Sequence, residues 1–116
     1  MKFVCLDGSI VNQDISSRLY PRREISAPQT AARERITQEY GDQTILEEFT
    51  IPKSRLRIDF FLPNMMVAIE VHGRQHFEFV KHFHGTRKKF ALAKQNDADK
   101  AKWCKLNGIE LVIWHD

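Results

Sequence analysis

The chain of 116 residues predicts an α/β fold of the α+β kind, a mixed β-sheet flanked by helices, and three observations carry that expectation. "RLRIDFFLP" and "MMVAIEVHG" alternate side chains at strand period around a Pro63-Asn64 turn. "TAARERITQEYG" and "TRKKFALAKQNDADKAKWCKLNG" read as helices, each followed closely by glycine. The closing "IELVIW" is a short, nearly continuous apolar run, as expected of a strand buried on both faces.

Taken in order, "KFVCLDGSIVN" places two β-prone runs around Asp7-Gly8, a strong hairpin signal. The polar "QDISSRLYPRREISAPQ" follows, with Arg18, Arg22 and Arg23 between two prolines, and reads as a basic connecting arm. Residues 1–27 therefore form an N-terminal hairpin and arm, and residues 28–116 the core of a single globular domain. The first helix is expected to begin near Pro28 or Thr30 and to end at Gly41. "TILEEFTIP" is a first core strand closed by Pro52. In the second strand Leu56, Ile58, Phe60 and Leu62 share one predicted face, and Arg57, Asp59 and Phe61 the other. In the third, Met65, Val67, Ile69 and Val71 lie opposite Met66, Ala68, Glu70 and His72. The segment "RQHFEFVKHFHG" is ambiguous, and the long second helix has Asn96 as its expected point of breakage and Gly108 as its C-cap.

Composition excludes several classes. An apolar share of 42% and a charged share of 28% describe an ordinary globular chain. No run of about 18 apolar residues is present, so no membrane partner is expected. Asp7 and Gly8 come too early for a secretory signal, and Cys5 and Cys104, far apart and without a CxxC, suit reduced thiols in a cytoplasmic setting. The net charge of +3 is uneven: eight Lys/Arg between Lys81 and Lys105 face only Asp97 and Asp99, which suits either a phosphate-binding surface or a solvated helix. Structural zinc is disfavoured because the histidines lack paired cysteines.

The chemistry concentrates in residues 57 to 77. Asp59 and Glu70 lie eleven residues apart on strands joined by a tight turn, so a hairpin return brings both carboxylates to one face, with His72 beside Glu70. Two close carboxylates repel unless a positive group lies between them, and a hard cation such as Mg²⁺ (or Mn²⁺ in its place) supplies it. Such a metal activates water and neutralises a phosphate, with His72 or His76 as base or proton donor near neutral pH. The alternative for Asp59 is a surface pair with Arg57.

The string "IDFFLPNMMVAIEVHGRQHF…QNDADKAKWCKLNGIELVIW" resembles the very-short-patch-repair-like branch of the PD-(D/E)XK nuclease superfamily, over roughly residues 30 to 114. The resemblance implies a restriction-endonuclease-like core and Mg²⁺-dependent hydrolysis of DNA phosphodiesters, by nicking or double-strand cleavage, in a phage, homing or repair setting. Asp59 resembles the metal-binding aspartate and Glu70 the second acid, and the main-chain carbonyl of Val71 resembles the group that completes the metal shell. His72 stands where the superfamily has lysine. His76 resembles the histidine near the scissile phosphate, Asp97 the helical acid that orients it, and Glu34 the first-helix acid that holds a metal-bound water, with Glu39 competing one turn later. Asp97 reads otherwise as a helix cap and Glu34 as part of a solvated face.

DNA is the implied partner, with Arg87, Lys88, Lys89 and Lys94 on phosphates and Arg22 and Arg23 reaching along a groove. Cutting both strands implies a homodimer, since one chain offers one site. A non-catalytic nucleic-acid-binding or assembly module on the same fold is the alternative, and His72 in the lysine position is its best argument.

Overall fold

The computed structural model describes residues 1–15, 27–72 and 87–115. Arg22, Arg23 and His76 lie outside the described residues. In chain order the elements are β1 (Lys2–Val4), β2 (Ile10–Asn12), α1 (Ala27–Tyr40), β3 (Leu46–Thr50), β4 (Arg57–Leu62), β5 (Val67–His72), α2 (Arg87–Leu106) and β6 (Glu110–His115). The fold is α+β: β1 and β2 form a hairpin, and the other strands form one mixed sheet ordered β3-β4-β5-β6. β3, β4 and β5 are antiparallel neighbours, and β6 runs parallel to β5 after the α2 crossover.

Two separate apolar clusters line the sheet. On one face Ala32 and Ile36 of α1 pack with Ile45, Phe60, Leu62 and Ile69. On the other, Trp103 and Cys104 of α2 pack with Leu46, Phe49, Ile58, Phe61 and Ala68. The hairpin belongs to this second layer: Phe3 is buried among Phe49, Phe61 and Trp103, with ring centroids 5.4–6.0 Å away. Asn107, just beyond α2, fastens it, since its Oδ1 accepts the Val4 N–H (2.8 Å) and its Nδ2 donates to the carbonyls of Val4 (2.9 Å) and Trp103 (2.8 Å). These bonds satisfy main-chain groups that water would otherwise have to serve.

The second strand departs from simple alternation. Ile58 and Phe61 join the α2-side cluster while Phe60 and Leu62 join the α1-side cluster, so Leu56, Ile58, Phe60 and Leu62 do not share one face. The cause lies on the neighbouring strand, where Glu48 adopts a left-handed backbone (φ 52°) and Leu46 and Phe49, three apart, reach the same cluster. A non-glycine residue there carries a cost of about 1–2 kcal/mol.

Two further expectations are corrected. α2 is unbroken through Asn96, because asparagine costs at most about 0.7 kcal/mol in a helix rich in Ala and Lys. Gln95 also bonds Asp99 at 2.9 Å across that point. It ends as expected, with Gly108 left-handed (φ 65°) and Ile109 N–H returning to the Cys104 carbonyl at 2.9 Å. β6 is half-buried rather than buried on both faces, because among the described residues it has β5 alone as a strand neighbour.

α1 is held by charge as well as by packing. Glu47, fully buried on β3, accepts a two-pronged pair from Arg33 (2.9–3.2 Å) and a bond from Gln29 (3.2 Å). Gly41 closes the helix where a Cβ would lie 2.4 Å from the Thr37 carbonyl oxygen, too close for any other residue without movement.

Candidate active site

Asp59 sits where β4 lets go of both neighbours. The β3–β4 ladder skips the Glu48/Asp59 position, and the β4–β5 ladder stops at Phe60 and Ile69, one pair short of Asp59 and Glu70. Side chains replace the missing ladder bonds: Val71 N–H donates to Asp59 Oδ2 at 2.8 Å, and Asp59 N–H reaches Glu70 Oε2 at 3.4 Å. The eleven-residue spacing around the turn therefore does bring the two acids together.

Glu70 lies on the α2 side of β5, with Ala68 and His72. It is buried, and its carboxyl is pushed up to about 8, first by burial and then by the proton-sharing contact with Asp59 and by its charge. Lys100 opposes the rise. Its Nζ lies 2.7 Å from Glu70 Oε1, with the two side chains only 18% and 4% exposed. The contact is an ion pair rather than a well-directed hydrogen bond, and buried Oε1 has no directed donor among the described residues. Asp59 Oδ1 likewise accepts no hydrogen bond among the described residues. Each acid thus keeps one oxygen without a directed donor.

Lys100 was not among the residues singled out in the sequence, and the signal for it is the stripe that α2 turns inward. Asn96, Lys100, Cys104 and Asn107 follow helical spacing, so polar groups occupy positions where a purely structural helix would carry apolar ones. Cys104, one turn beyond, has its thiol pushed up to about 11 by burial and then by the Glu70 charge, so it stays protonated.

The remaining residues divide. His72 is buried on the Glu70 face, in register with His115 of β6. Asp97 is half-buried three residues before Lys100, hence on a neighbouring part of the same helix face. Glu34 is exposed, because α1 turns Ala32, Arg33 and Ile36 to the sheet, and it joins neither acid in an ion pair or hydrogen bond. Glu39 pairs with Arg35 at 3.2 Å. Arg57 pairs with Glu48 at 3.5 Å, not with Asp59. Arg87, Lys88 and Lys89 are exposed at the start of α2, and exposed Lys94 lies over the Phe90 ring at 5.7 Å.

Among the described residues no group of three or more His, Cys, Asp or Glu side chains is placed to hold a metal, so Asp59 and Glu70 would need main-chain or water oxygens to complete a shell. Mg²⁺ suits such a set, because it takes oxygen ligands and keeps several waters. Val71 is the main-chain candidate for such an oxygen, since its N–H already meets Asp59 at 2.8 Å.

No family model matches the chain. It is similar to uncharacterized protein 307L of Invertebrate iridescent virus 6, at 32% identity over 57 residues, 49% of this chain and 29% of that protein. It is also similar to uncharacterized protein 094L of Frog virus 3 (isolate Goorha), at 36% identity over 58 residues, 49% of this chain and 37% of that protein. The matched segments thus cover about a third of those viral proteins. No solved structure matches. Among the described residues, no helix is long and apolar enough to cross a membrane.

Proposed function

We propose that the chain is a metal-dependent DNA endonuclease of the very-short-patch-repair-like kind, built on a restriction-endonuclease-like core and acting in a virus-infected cell. The observation that carries this reading is the meeting of Asp59 and Glu70 where β4 leaves both neighbours, with Glu70 held up to about 8 by burial and by Asp59. A buried carboxyl raised this far beside a second acid is the kind of perturbed group that functional sites collect. The order of helix, three antiparallel strands, helix and parallel strand agrees with the core that the sequence resemblance implies.

In this reading Asp59, Glu70 and the Val71 carbonyl would hold Mg²⁺ or Mn²⁺, which when bound would supply an activated water near neutral pH and charge neutralisation at the phosphate. His76 moves the proton near the scissile phosphate, Asp97 orients it, and His72 shapes the Glu70 face. Arg87, Lys88, Lys89 and Lys94, with Arg22 and Arg23 of the arm, grip phosphates without reading sequence. The start of α2 supports this role, since three cations in the first turn oppose the helix dipole and suit a helix that meets an anion. Double-strand cleavage would require a homodimer.

Plasmid nicking with Mg²⁺ or Mn²⁺, against an EDTA control, is the test. Asp59→Asn and Glu70→Gln should each abolish divalent-dependent cleavage while leaving DNA binding largely intact. Normal cleavage by either variant would remove the carboxylate pair from the mechanism. The second reading, a non-catalytic nucleic-acid-binding or assembly module, is favoured by the Lys100–Glu70 pair, which already balances charge in the site without metal. It predicts DNA binding with no nicking under any divalent ion.

A further inference from the structure

The acids are not empty-handed in the described structure. Lys100 Nζ stands 2.7 Å from Glu70 Oε1, on the oxygen that lacks a directed hydrogen bond. Cation ligation at Glu70 would draw on the same carboxylate, where a divalent ion and the Lys100 ammonium repel each other strongly because the site is buried. We propose that Lys100 and a divalent cation are exchanging occupants of the Asp59–Glu70 pair, so that loading the site means releasing the Lys100 ammonium from Glu70. This inference rests on the metal-site reading given above.

The geometry permits the exchange without moving the fold. Lys100 hangs on a flexible four-carbon stem from the last third of a 20-residue helix, and its side chain is 18% exposed, so the head can swing to solvent while α2 stays in place. The helix itself is fixed at its far end by Trp103 and Cys104 in the core and by the Gly108 turn into β6, which pairs in register with the Glu70 strand. What leaves is a side chain, with the backbone staying put.

The test is Mn²⁺ binding to the full chain at one fixed pH, read as free-ion electron paramagnetic resonance and needing no cleavage. Four proteins are compared: wild type, Lys100→Met, Lys100→Gln and Asp59→Asn, each checked for fold by circular dichroism. Removing a charge-assisted competitor should tighten Mn²⁺ by about tenfold or more in Lys100→Met. Lys100→Gln, polar and neutral, should move the same way and carries the comparison if the methionine variant does not fold. Wild-type binding that Asp59→Asn abolishes, with affinity unchanged or weakened in both Lys100 variants, overturns the exchange and leaves the metal site standing. Binding that appears only when Lys100 is replaced supports the exchange in its strongest form. No binding in any of the proteins, or equal binding in Asp59→Asn, overturns the metal site and the exchange together.

Discussion

Glu70→Gln tests the electrostatics of the site through stability rather than activity. Glu70 has an ordinary value of 4.5 and stands at about 8 in the folded, metal-free chain. Between those values the folded state holds a proton that the unfolded state has lost, so stability falls as pH rises, by about 1.4 kcal/mol per pH unit. The contribution is fully present below about 4.5 and is gone above about 8. Over the whole window the loss approaches about 5 kcal/mol as an upper bound, a large part of the roughly 5–15 kcal/mol that holds a small domain together. Glutamine cannot ionise, so Glu70→Gln should match wild type near pH 5 and exceed it by about 2–5 kcal/mol at pH 9. Urea unfolding in EDTA at one-unit steps from pH 5 to 9 measures the difference, and comparing the two proteins cancels the histidines and every other group that titrates alike in both. In the presence of Mg²⁺ the wild-type slope should flatten, because a bound cation favours the ionised carboxylate, whereas the variant should respond little. Parallel curves, separated by less than about 0.5 kcal/mol at every pH, would refute the placement of an uncompensated proton on Glu70.

Arg33→Met removes the cation paired with buried Glu47 while the Gln29 bond stays, and a loss of about 3 kcal/mol, roughly 12 °C in Tm, is expected in a thermal scan. Asn107→Ala removes three bonds that tie Val4 and Trp103 together, and should cost about 2–3 kcal/mol and speed amide exchange at Val4 before it does so in β5. Changing Arg87, Lys88 and Lys89 together to alanine should weaken duplex binding about equally on any sequence and lower the log–log salt slope by about 0.9 for each phosphate no longer neutralised. An unchanged slope would place these residues on a solvated face.

The site was legible where the physics is local. Strand alternation and the spacing around Pro63-Asn64 are enough to bring Asp59 and Glu70 together, and the same alternation puts Ala68, Glu70 and His72 on one face, as found. Gly8 and Gly108 also announce their turns, since both adopt positive φ. The face switch in β3 and β4 left no such mark, because a glutamate rather than a glycine takes the left-handed conformation at position 48. Lys100 was hidden for another reason: it lies thirty residues from Glu70, and only the packing of α2 across the sheet gives it that partner. That β6 has β5 alone as a strand neighbour among the described residues was equally out of reach, since an apolar run does not say how many neighbours a strand has.

The way β4 parts from β5 bears on how such a chain ages under mutation. Asp59 is the acceptor for a main-chain amide that the sheet no longer serves, so its carboxylate is a beam of the building as well as a tool. A descendant that had given up any reaction would still face selection to keep Asp59, and Glu70 would follow as long as Lys100 stood beside it. Retention of these acids in a relative is therefore weak testimony to chemistry in that relative. The sharper witnesses are residues far from the core, such as exposed Lys88 at the start of α2, whose charge a phosphate would select and packing would not.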